Sequence, residues 1–517
     1  MNKTLCTLLF SLTLAALSSS HAEVRLPALF SDNMVLQQGI ECPIWGWADP
    51  GESVTIELNG KTHKTKADQA GRWETKLQKL LASSKPTTIK ITGKNTLAIK
   101  NVLVGEVWVC SGQSNMQWSV NSSDDPDLEK LTANFPNIRL ITVPRIGTQE
   151  PQDDFNGQWE PCTPDTVAEF SAVGYFYGRL LHQTLQVPIG LIDNAWGGSA
   201  CEAWIRRDLL EKLPAAKPYM ETWANTEANY DEKKVQATYQ KQLATWKEQV
   251  AKAKANKKPL PKAPRQPRNP LIGQHRPANL YNGVLKPLIG YGIKGAIWYQ
   301  GESNSSRAKA YRDVFPLMIR SWREEWGQGE FPFYWVQLAD FRDESPAPQD
   351  SNWAELREAQ TLTLKLPNTG QAVITDLGEA HDIHPKDKLN VAKRLVRWAL
   401  AQDYGYEIVH RSPQYKAHQR NGSKLILHFD YVGGGMDTFD IRTPIGFTVA
   451  GDDKVFHPAQ ARIIGKDKIE LTCAKVPNPI AARYAWADNP VANVQNREGL
   501  PLTPFRTDDF AMITEGK

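Results

Sequence analysis

The sequence predicts an α/β protein built on a parallel sheet, with helices on both faces of the sheet and a β-rich domain on either side. Three observations support this fold class. The chain has 517 residues, which exceeds the size of one ordinary hydrophobic core. Short strands broken by turn residues fill 23–101 and return over 405–517. Between 102 and 404, strands alternate with helical stretches, as in a parallel sheet covered by helices.

Residues 1–22 have the composition of a secretory signal peptide. Lys3 precedes an apolar stretch that runs from Leu5 to Leu17, and Ser-His-Ala at 20–22 is a small-x-small cleavage site. The apolar stretch is too short to span a membrane, and no other segment of the sequence offers about 20 uninterrupted apolar residues. We therefore expect an exported protein without a membrane span, located in the periplasm or outside the cell.

Residues 23–101 are expected to form a small β-sandwich. Polar and apolar side chains alternate over short stretches such as 54–58 and 87–91. Turn residues, among them Asp-Pro-Gly at 49–51 and Asn-Gly at 59–60, separate these stretches.

The segment 102–404 supplies the strands of the predicted parallel sheet. The apolar run 102–109 is the first, and the later candidates are 138–143, 187–193, 295–300, 331–338 and 372–376. Ligands of such sheets bind at the carboxyl ends of the strands. Ser114, the Gly197-Gly198 pair and residues 300–304 each follow a strand end, which indicates a functional site there.

Three further stretches complete the predicted architecture. An insertion at about 207–277 contains a helix with one apolar stripe, followed by a basic proline-rich run over 257–268 that we interpret as a solvated connector. A helix is expected after Pro385, because its apolar residues recur with helical spacing and proline suits a first helical position. Strands at 425–429 and 469–471 mark the carboxyl-terminal β-rich domain.

The turn after the first strand of the sheet carries the strongest chemical signal. Residues 111–116 read Ser-Gly-Gln-Ser-Asn-Met, so Gly112 lets the backbone bend sharply and leaves one side of the Ser114 hydroxyl clear. An ordinary Ser/Asn turn has the same local composition. Two distant segments favour catalysis: residues 295–304 end a strand in polar amides, and residues 382–385 supply His384.

These segments resemble a known family. Gly-Gln-Ser-Asn-Met, Trp-Tyr-Gln-Gly-Glu-Ser-Asn and Ile-His-Pro, in this order, are similar to motifs of the sialate O-acetylesterase group of the SGNH hydrolases. The resemblance extends to residues 26–37 and 484–490 and so covers nearly the whole mature chain. It implies a flavodoxin-like, three-layer α/β/α hydrolase core that removes acetyl groups from sugars, with Ser114 as the nucleophile. The acetylated sugar is left open between sialic acid and a plant polysaccharide such as xylan or xyloglucan.

His384 is the predicted base, and its orienting acid departs from the family pattern. SGNH enzymes usually have an aspartate three residues before the histidine, where this chain has His381. Asp382 is two residues before, and side chains two apart on extended backbone point to the same side. We assign Asp382, with Asp376, Glu379 or a backbone carbonyl as alternatives.

The resemblance also suggests an oxyanion hole and a substrate surface. The backbone N–H groups of Ser114 and Gly198, with an amide from Gln300 or Asn304, are the expected oxyanion donors. A second set of residues is assigned to the substrate: Gln113, Trp118, Trp196 and Glu302. For Glu302 the alternative is a carboxylate that braces its own loop.

Composition limits the remaining possibilities. The net charge of +4 is small and gives no indication of a nucleic-acid partner. Five cysteines follow residue 22, an odd number, so at least one thiol is unpaired, and none has the spacing of zinc ligands. We expect neither a metal nor a cofactor. The alternatives are a non-catalytic carbohydrate-binding protein on a hydrolase scaffold, and a peptidase or lipase, which lacks support because Gly-x-Ser-x-Gly is missing around Ser114.

Overall fold

The computed structural model describes residues 23–345 and 348–516. The predicted signal peptide at 1–22 lies outside the described residues. Within them, no helix is long and apolar enough to cross a membrane.

The amino-terminal region forms two sheets. Its strands are β1 (Val35–Gln37), β2 (Cys42–Trp47), β3 (Ser53–Leu58), β4 (Lys61–Lys66), β5 (Arg72–Leu77), β6 (Ser83–Thr92) and β7 (Thr96–Gly112). β2 pairs with β5, and the second sheet has the order β4-β3-β6-β7-β1. The predicted boundary between 101 and 102 falls inside β7, which runs on without a break into the central sheet. One strand therefore belongs to both the first domain and the core.

The central sheet is parallel, with one antiparallel strand at its edge. Its further strands are β8 (Phe135–Thr142), β9 (Glu160–Cys162), β10 (Ile189–Asp193), β11 (Gly295–Tyr299), β12 (Phe333–Val336) and β13 (Thr369–Ala372). Their order is β13-β12-β11-β7-β10-β8-β9, and only the β8 and β9 pair on this path is antiparallel. The strand expected at 372–376 lies earlier, because the ladder with β12 ends at Ala372.

Helices cover both faces of this sheet and complete a three-layer α/β/α core. The helices are α1 (Ser114–Gln117), α2 (Pro126–Leu131), α3 (Pro164–Val167), α4 (Ala172–Leu185), α5 (Arg207–Glu211), α6 (Lys217–Asn229), α7 (Glu232–Ala255), α8 (Ala308–Trp326), α9 (Asn352–Leu362) and α10 (Lys388–Gln402). The buried faces of α4 and α10 share one apolar cluster with the sheet. The buried faces of α8 and α9 belong to a second apolar cluster, which continues into the amino-terminal domain.

α10 starts later than the sequence predicts. Pro385 was expected at its first position, but the helix begins at Lys388. Asp387 is the residue before the helix, and its side chain accepts a hydrogen bond from the N–H of Asn390. The segment 382–387 is therefore a loop, and this loop presents His384.

The insertion is helical, as predicted, and its proline-rich run has a packing partner. α5, α6 and α7 lie within it, and no residue of α7 is buried. The indole N–H of Trp246 donates to the carbonyl of Pro261 at 2.9 Å. The connector therefore covers part of the apolar stripe of α7.

The carboxyl-terminal domain is β-rich and has an apolar cluster of its own. Its strands are β14 (Gln414–Asn421), β15 (Lys424–Asp430), β16 (Met436–Thr438), β17 (Phe447–Ala450), β18 (His457–Pro458), β19 (Gln460–Gly465), β20 (Lys468–Thr472), β21 (Ala481–Tyr484), β22 (Val494–Asn496) and β23 (Phe505–Arg506). Two four-stranded sheets have the orders β14-β15-β20-β19 and β18-β17-β21-β23. The five cysteines that follow residue 22 are all unpaired, and four of them are buried.

Candidate active site

The turn that carries Ser114 is shaped by the close approach of two strand ends. Gly112, the last residue of β7, has φ 136°, and a Cβ atom there would lie 2.2 Å from the carbonyl oxygen of Tyr299 at the end of β11. Only glycine fits this position. The next N–H, that of Gln113, donates to the same carbonyl at 2.9 Å. The chain then enters the single turn of α1, whose first residue is Ser114.

Ser114 and His384 meet across 270 residues of sequence. The distance between Ser114 Oγ and His384 Nε2 is 2.9 Å, which is a hydrogen bond. The indole ring of Trp118 stacks on the imidazole, with 4.5 Å between ring centroids and 12° between planes. The histidine ring is therefore held on one face while its Nε2 addresses the serine hydroxyl.

Asp382 is the acid nearest to His384 among those considered from the sequence. Its Oδ1 lies 3.4 Å from His384 Nδ1 and accepts a 2.9 Å hydrogen bond from the backbone N–H of the same histidine. The carboxylate is 42% exposed. The expected reach of this side chain to the imidazole is thus present, although the contact to Nδ1 is long.

The alternative acids are occupied elsewhere. Asp376 forms a two-pronged ion pair with Arg394, at 2.5 and 2.6 Å. Glu379 accepts from the backbone N–H of Lys386 at 3.2 Å. His381, which stands where the family pattern has aspartate, is exposed.

The environment keeps His384 neutral at neutral pH. Partial burial lowers the pKa of His384 below its ordinary 6.5, and the nearby charge of Lys388 lowers it further. The carboxylate of Asp382 opposes both effects. A neutral imidazole is the form that accepts a proton from a serine hydroxyl.

The glycine pair after β10 lies against the serine turn. A Cβ atom on Gly197 would lie 3.3 Å from the Ser114 Cβ, so glycine permits this approach. The N–H of Gly197 donates to Gln117 Oε1 at 2.7 Å. The N–H groups of Ser114 and Gly198 have no hydrogen-bond partner among the described residues. Gln117 was missed from the sequence, although it lies one helical turn after Ser114, on the same side of α1.

Gln300 and Asn304 make hydrogen bonds of their own around the glycine loop, which leaves their assignment to the oxyanion hole without support from this geometry. Both are buried. The amide nitrogen of Gln300 donates to the Ser199 carbonyl at 3.0 Å and to Asn304 Oδ1 at 2.7 Å, which uses both of its hydrogens. Asn304 donates to Glu202 Oε2 at 2.8 Å. These amides brace the glycine loop.

Of the four residues assigned to the substrate, only Trp118 lines the cleft at Ser114. Gln113 is 3% exposed, and its Oε1 lies 3.4 Å from the N–H groups of Gly301 and Ser303. The Glu302 carboxylate is buried and accepts from Asn115 Nδ2 at 2.7 Å. Trp196 packs on the core beside the glycine loop. For Glu302 the geometry favours the alternative role, in which the carboxylate braces its own loop and does not bind the substrate.

The cleft has a volume of about 860 Å³, within the usual range for small-molecule sites. One wall comes from the loops after β7, β10 and β13, at the carboxyl ends of parallel strands, and the other from β8, β9 and the segments that follow them up to α4. Polar and charged side chains dominate the lining, which is formed by Ser114, Gln117, Trp118, Ser119, Ser122, Leu140, Thr142, Arg145, Gly157, Gln158, Glu160, Thr166, Glu169, Phe170, Gly197 and His384. Within the described residues, no cluster of three His, Cys, Asp or Glu side chains is arranged to hold a metal ion.

Comparison with known proteins decides the family. The family of carbohydrate esterases described as sialic acid-specific acetylesterases matches residues 104–261 and 275–398, which is more than half of the chain. The chain belongs to this family. Its relatives include the human sialate O-acetylesterase, 30% identical over 98% of this chain and 96% of that protein, and the mouse sialate O-acetylesterase, 30% identical over 93% and 94%. A carbohydrate acetylesterase of Xanthomonas citri is 35% identical, with a TM-score of 0.79 over 94% of this chain and all of that one.

Membership in the acetylesterase family confirms the resemblance found in the sequence and makes the protein an ester hydrolase. The non-catalytic alternative and the peptidase or lipase alternative lose their support. The family match has a gap over 262–274, which falls in the proline-rich end of the insertion.

Proposed function

We propose that the protein is an exported carbohydrate O-acetylesterase that works through a serine acyl-enzyme. The hydrogen bond of 2.9 Å between Ser114 Oγ and His384 Nε2 is the observation that carries the mechanism. A serine that shares a hydrogen bond with a neutral imidazole, in turn contacted by a carboxylate, is the arrangement that activates a hydroxyl for attack on an ester.

In the first half of the reaction, Ser114 Oγ forms a bond to the acetyl carbonyl carbon as its proton passes to His384 Nε2. Negative charge develops on the carbonyl oxygen, and the free N–H groups of Ser114 and Gly198 are suited to receive it. The carbon–oxygen bond to the sugar then breaks. The departing sugar oxygen takes the proton from the imidazolium, and the acetyl group stays on Ser114.

In the second half, water replaces the sugar. His384 takes a proton from the water as its oxygen attacks the acetyl carbon, and the proton returns to Ser114 Oγ as acetate leaves. The carboxylate of Asp382 stabilises the imidazolium in both halves.

We further propose that the preferred substrate is a neutral acetylated glycan, such as xylan or xyloglucan, in preference to acetylated sialic acid. The lining of the cleft contributes one cation, Arg145, and two carboxylates, Glu160 and Glu169. A sialate carboxylate would meet an excess of like charge, which opposes binding. A neutral sugar avoids this repulsion and can use the hydroxyl and amide groups of the lining.

Acetate release from a panel of equimolar acetyl esters tests this proposal. We expect kcat/KM for neutral acetylated oligosaccharides to exceed that for an acetylated sialic acid by about tenfold or more, a difference of about 1.4 kcal/mol. The paired variant with Glu160→Gln and Glu169→Gln should narrow the gap, and so should added salt, which screens exposed charges. A parent enzyme that prefers the sialate would overturn the substrate assignment and leave the mechanism standing.

The rate is expected to rise with pH through the ionisation of His384. Only the neutral imidazole accepts the serine proton, so activity is lost as pH falls through the pKa of His384, which burial lowers below 6.5. The measurement is kcat/KM for an aryl acetate between about pH 5 and 8. An inflection above 6.5, or a flat profile with chemistry rate-limiting, would contradict a histidine base in this setting.

Export is proposed from residues 1–22 alone. Their charged start, apolar centre and small-x-small end support cleavage after Ala22. The protein recovered from the periplasm or the medium is expected to have the mass of a chain that starts at Glu23. A recovered protein that still carries residues 1–22 would contradict cleavage after Ala22.

A further inference from the structure

Two oppositely charged groups are shielded from solvent beside the nucleophile, and no step described above uses them. Lys388, the first residue of α10, is 0% exposed. Glu302, just after β11, is half-buried, but its Oε2 is shielded from solvent and has no hydrogen-bond partner among the described residues, and burial raises the pKa of this carboxyl group. Taking charges out of water is costly unless each finds a partner. A buried lysine and a shielded carboxylate therefore need an explanation at this position.

The side-chain amide of Asn115 joins the two charges. Asn115 Oδ1 accepts from Lys388 Nζ at 2.6 Å, and Asn115 Nδ2 donates to Glu302 Oε1 at 2.7 Å. The second hydrogen of Nδ2 goes to the backbone carbonyl of Ile383, at 3.0 Å. We call Glu302, Asn115 and Lys388 the buried bridge.

The charges at the two ends of the buried bridge determine which way the amide points. The ammonium of Lys388 can only donate, whereas the Glu302 carboxylate and the Ile383 carbonyl accept. With the amide turned over, its NH₂ would face the ammonium and its oxygen would face two acceptors. All three hydrogen bonds of Asn115 would then be lost inside a buried site, so a single orientation is stable.

The buried bridge connects the two loops that must meet for catalysis. Asn115 follows Ser114 directly, and Ile383 precedes His384 directly. The hydrogen bond from Asn115 to Ile383 thus holds the histidine loop to the serine turn, one residue away from the reacting pair. The Lys388 ammonium also lies 6.0 Å from the ring centroid of Trp118, which stacks on His384.

We propose that Lys388 and Glu302 are positioning residues of the esterase reaction, which set the Ser114 to His384 distance by fixing the orientation of the Asn115 amide. This inference rests on the proposed function, because it assigns a role to groups around the Ser114 and His384 pair. Neither side chain faces the cleft, so neither touches the substrate.

Lys388 has a second effect that can be measured. Its positive charge lowers the pKa of His384. The charged groups that act on the lysine are Glu302, Asp382, Glu379 and Asp387. The carboxylate that acts on the histidine is that of Asp382. Burial lowers the pKa of Lys388 itself to about 7, so the ammonium is charged in the acidic range where His384 titrates. Removal of this charge must raise the pKa of His384.

Lys388→Met is the decisive variant, because methionine has an unbranched side chain only one atom shorter and removes both the donor and the charge. We expect kcat for an aryl acetate to fall about a hundredfold with KM little changed, in line with misplacement of a reacting group. The rising limb of the pH profile should move to higher pH. Lys393→Met, an exposed lysine on the same helix, is the matched control and should leave both quantities at the parent level. A Lys388→Met enzyme with the kcat of the parent and with the rising limb of its pH profile at the same pH would overturn the inference.

A double-mutant cycle keeps the inference testable whatever happens to stability. If Lys388 acts through the amide, Lys388→Met and Asn115→Ala must be strongly non-additive in kcat, because without the Asn115 amide the loss of Lys388 has nothing further to act on. Additive losses would overturn the inference. If Lys388→Met does not fold, Glu302→Gln takes its place in the cycle, with the same expected non-additivity. If the losses in this cycle are additive while Ser114→Ala and His384→Ala are both inactive, the role of Lys388 and Glu302 is refuted and the proposed function stands.

Discussion

Replacement of Ser114 by alanine is expected to lower kcat for an aryl acetate about a million-fold, the loss typical of nucleophile removal in serine hydrolases. Ser114 is at once the acceptor of the acetyl group and the partner of His384 Nε2 at 2.9 Å. No other serine hydroxyl is within hydrogen-bond distance of this imidazole in the described residues. Steady-state assays with a sensitive aryl acetate, and circular dichroism to check the fold, make the measurement.

Ser119→Ala is the matched control for this prediction. It removes a hydroxyl from the same cleft, five residues further along, where Ser119 Oγ lies 3.4 Å from Ser122 Oγ and does not contact His384. We expect a loss of less than about tenfold, as for an ordinary surface hydrogen bond. A folded Ser114→Ala enzyme with activity near that of Ser119→Ala would refute the acyl-enzyme mechanism.

Asp382→Asn is expected to lower kcat about a thousandfold. Loss of a buried orienting carboxylate in a Ser-His-Asp site costs up to about ten-thousandfold, because the wrong imidazole tautomer is favoured. Asp382 is 42% exposed and its contact to Nδ1 is 3.4 Å long, so solvent screens part of its charge and the loss should be smaller. Asparagine can keep the acceptor for the His384 N–H, which separates the effect of charge from that of loop shape.

Glu379→Gln provides the comparison for Asp382→Asn. Glu379 belongs to the same loop, but its carboxylate contacts the Lys386 N–H and not the imidazole. Its replacement should change kcat by less than about tenfold. An Asp382→Asn enzyme that keeps most of its activity, beside an inactive His384→Ala enzyme, would show that the site is a Ser-His dyad.

The polar residues of the 295–304 segment show how far sequence reasoning about the site reaches. Their position after β11 was predicted, and so was their proximity to the serine turn. No local pattern indicates that Gln300 and Asn304 are buried and already hydrogen-bonded to Ser199 and Glu202. Asn115 and Lys388 were missed for the same reason, since a buried hydrogen bond depends on partners that lie hundreds of residues away.

Local pattern and motif order determined the class of this protein, its strand-and-helix alternation, and the proposal of Ser114 and His384 as the reacting pair. These features depend on neighbouring residues: hydrophobic periodicity, and glycines where the backbone turns or approaches closely. Tertiary structure alone decided three things: that β7 joins the first domain to the core as one strand, that Gly197 and Gln117 meet at the serine turn, and which amides face the cleft or lie behind it. Burial and hydrogen-bond partners are properties of long-range packing, which no local pattern of residues encodes.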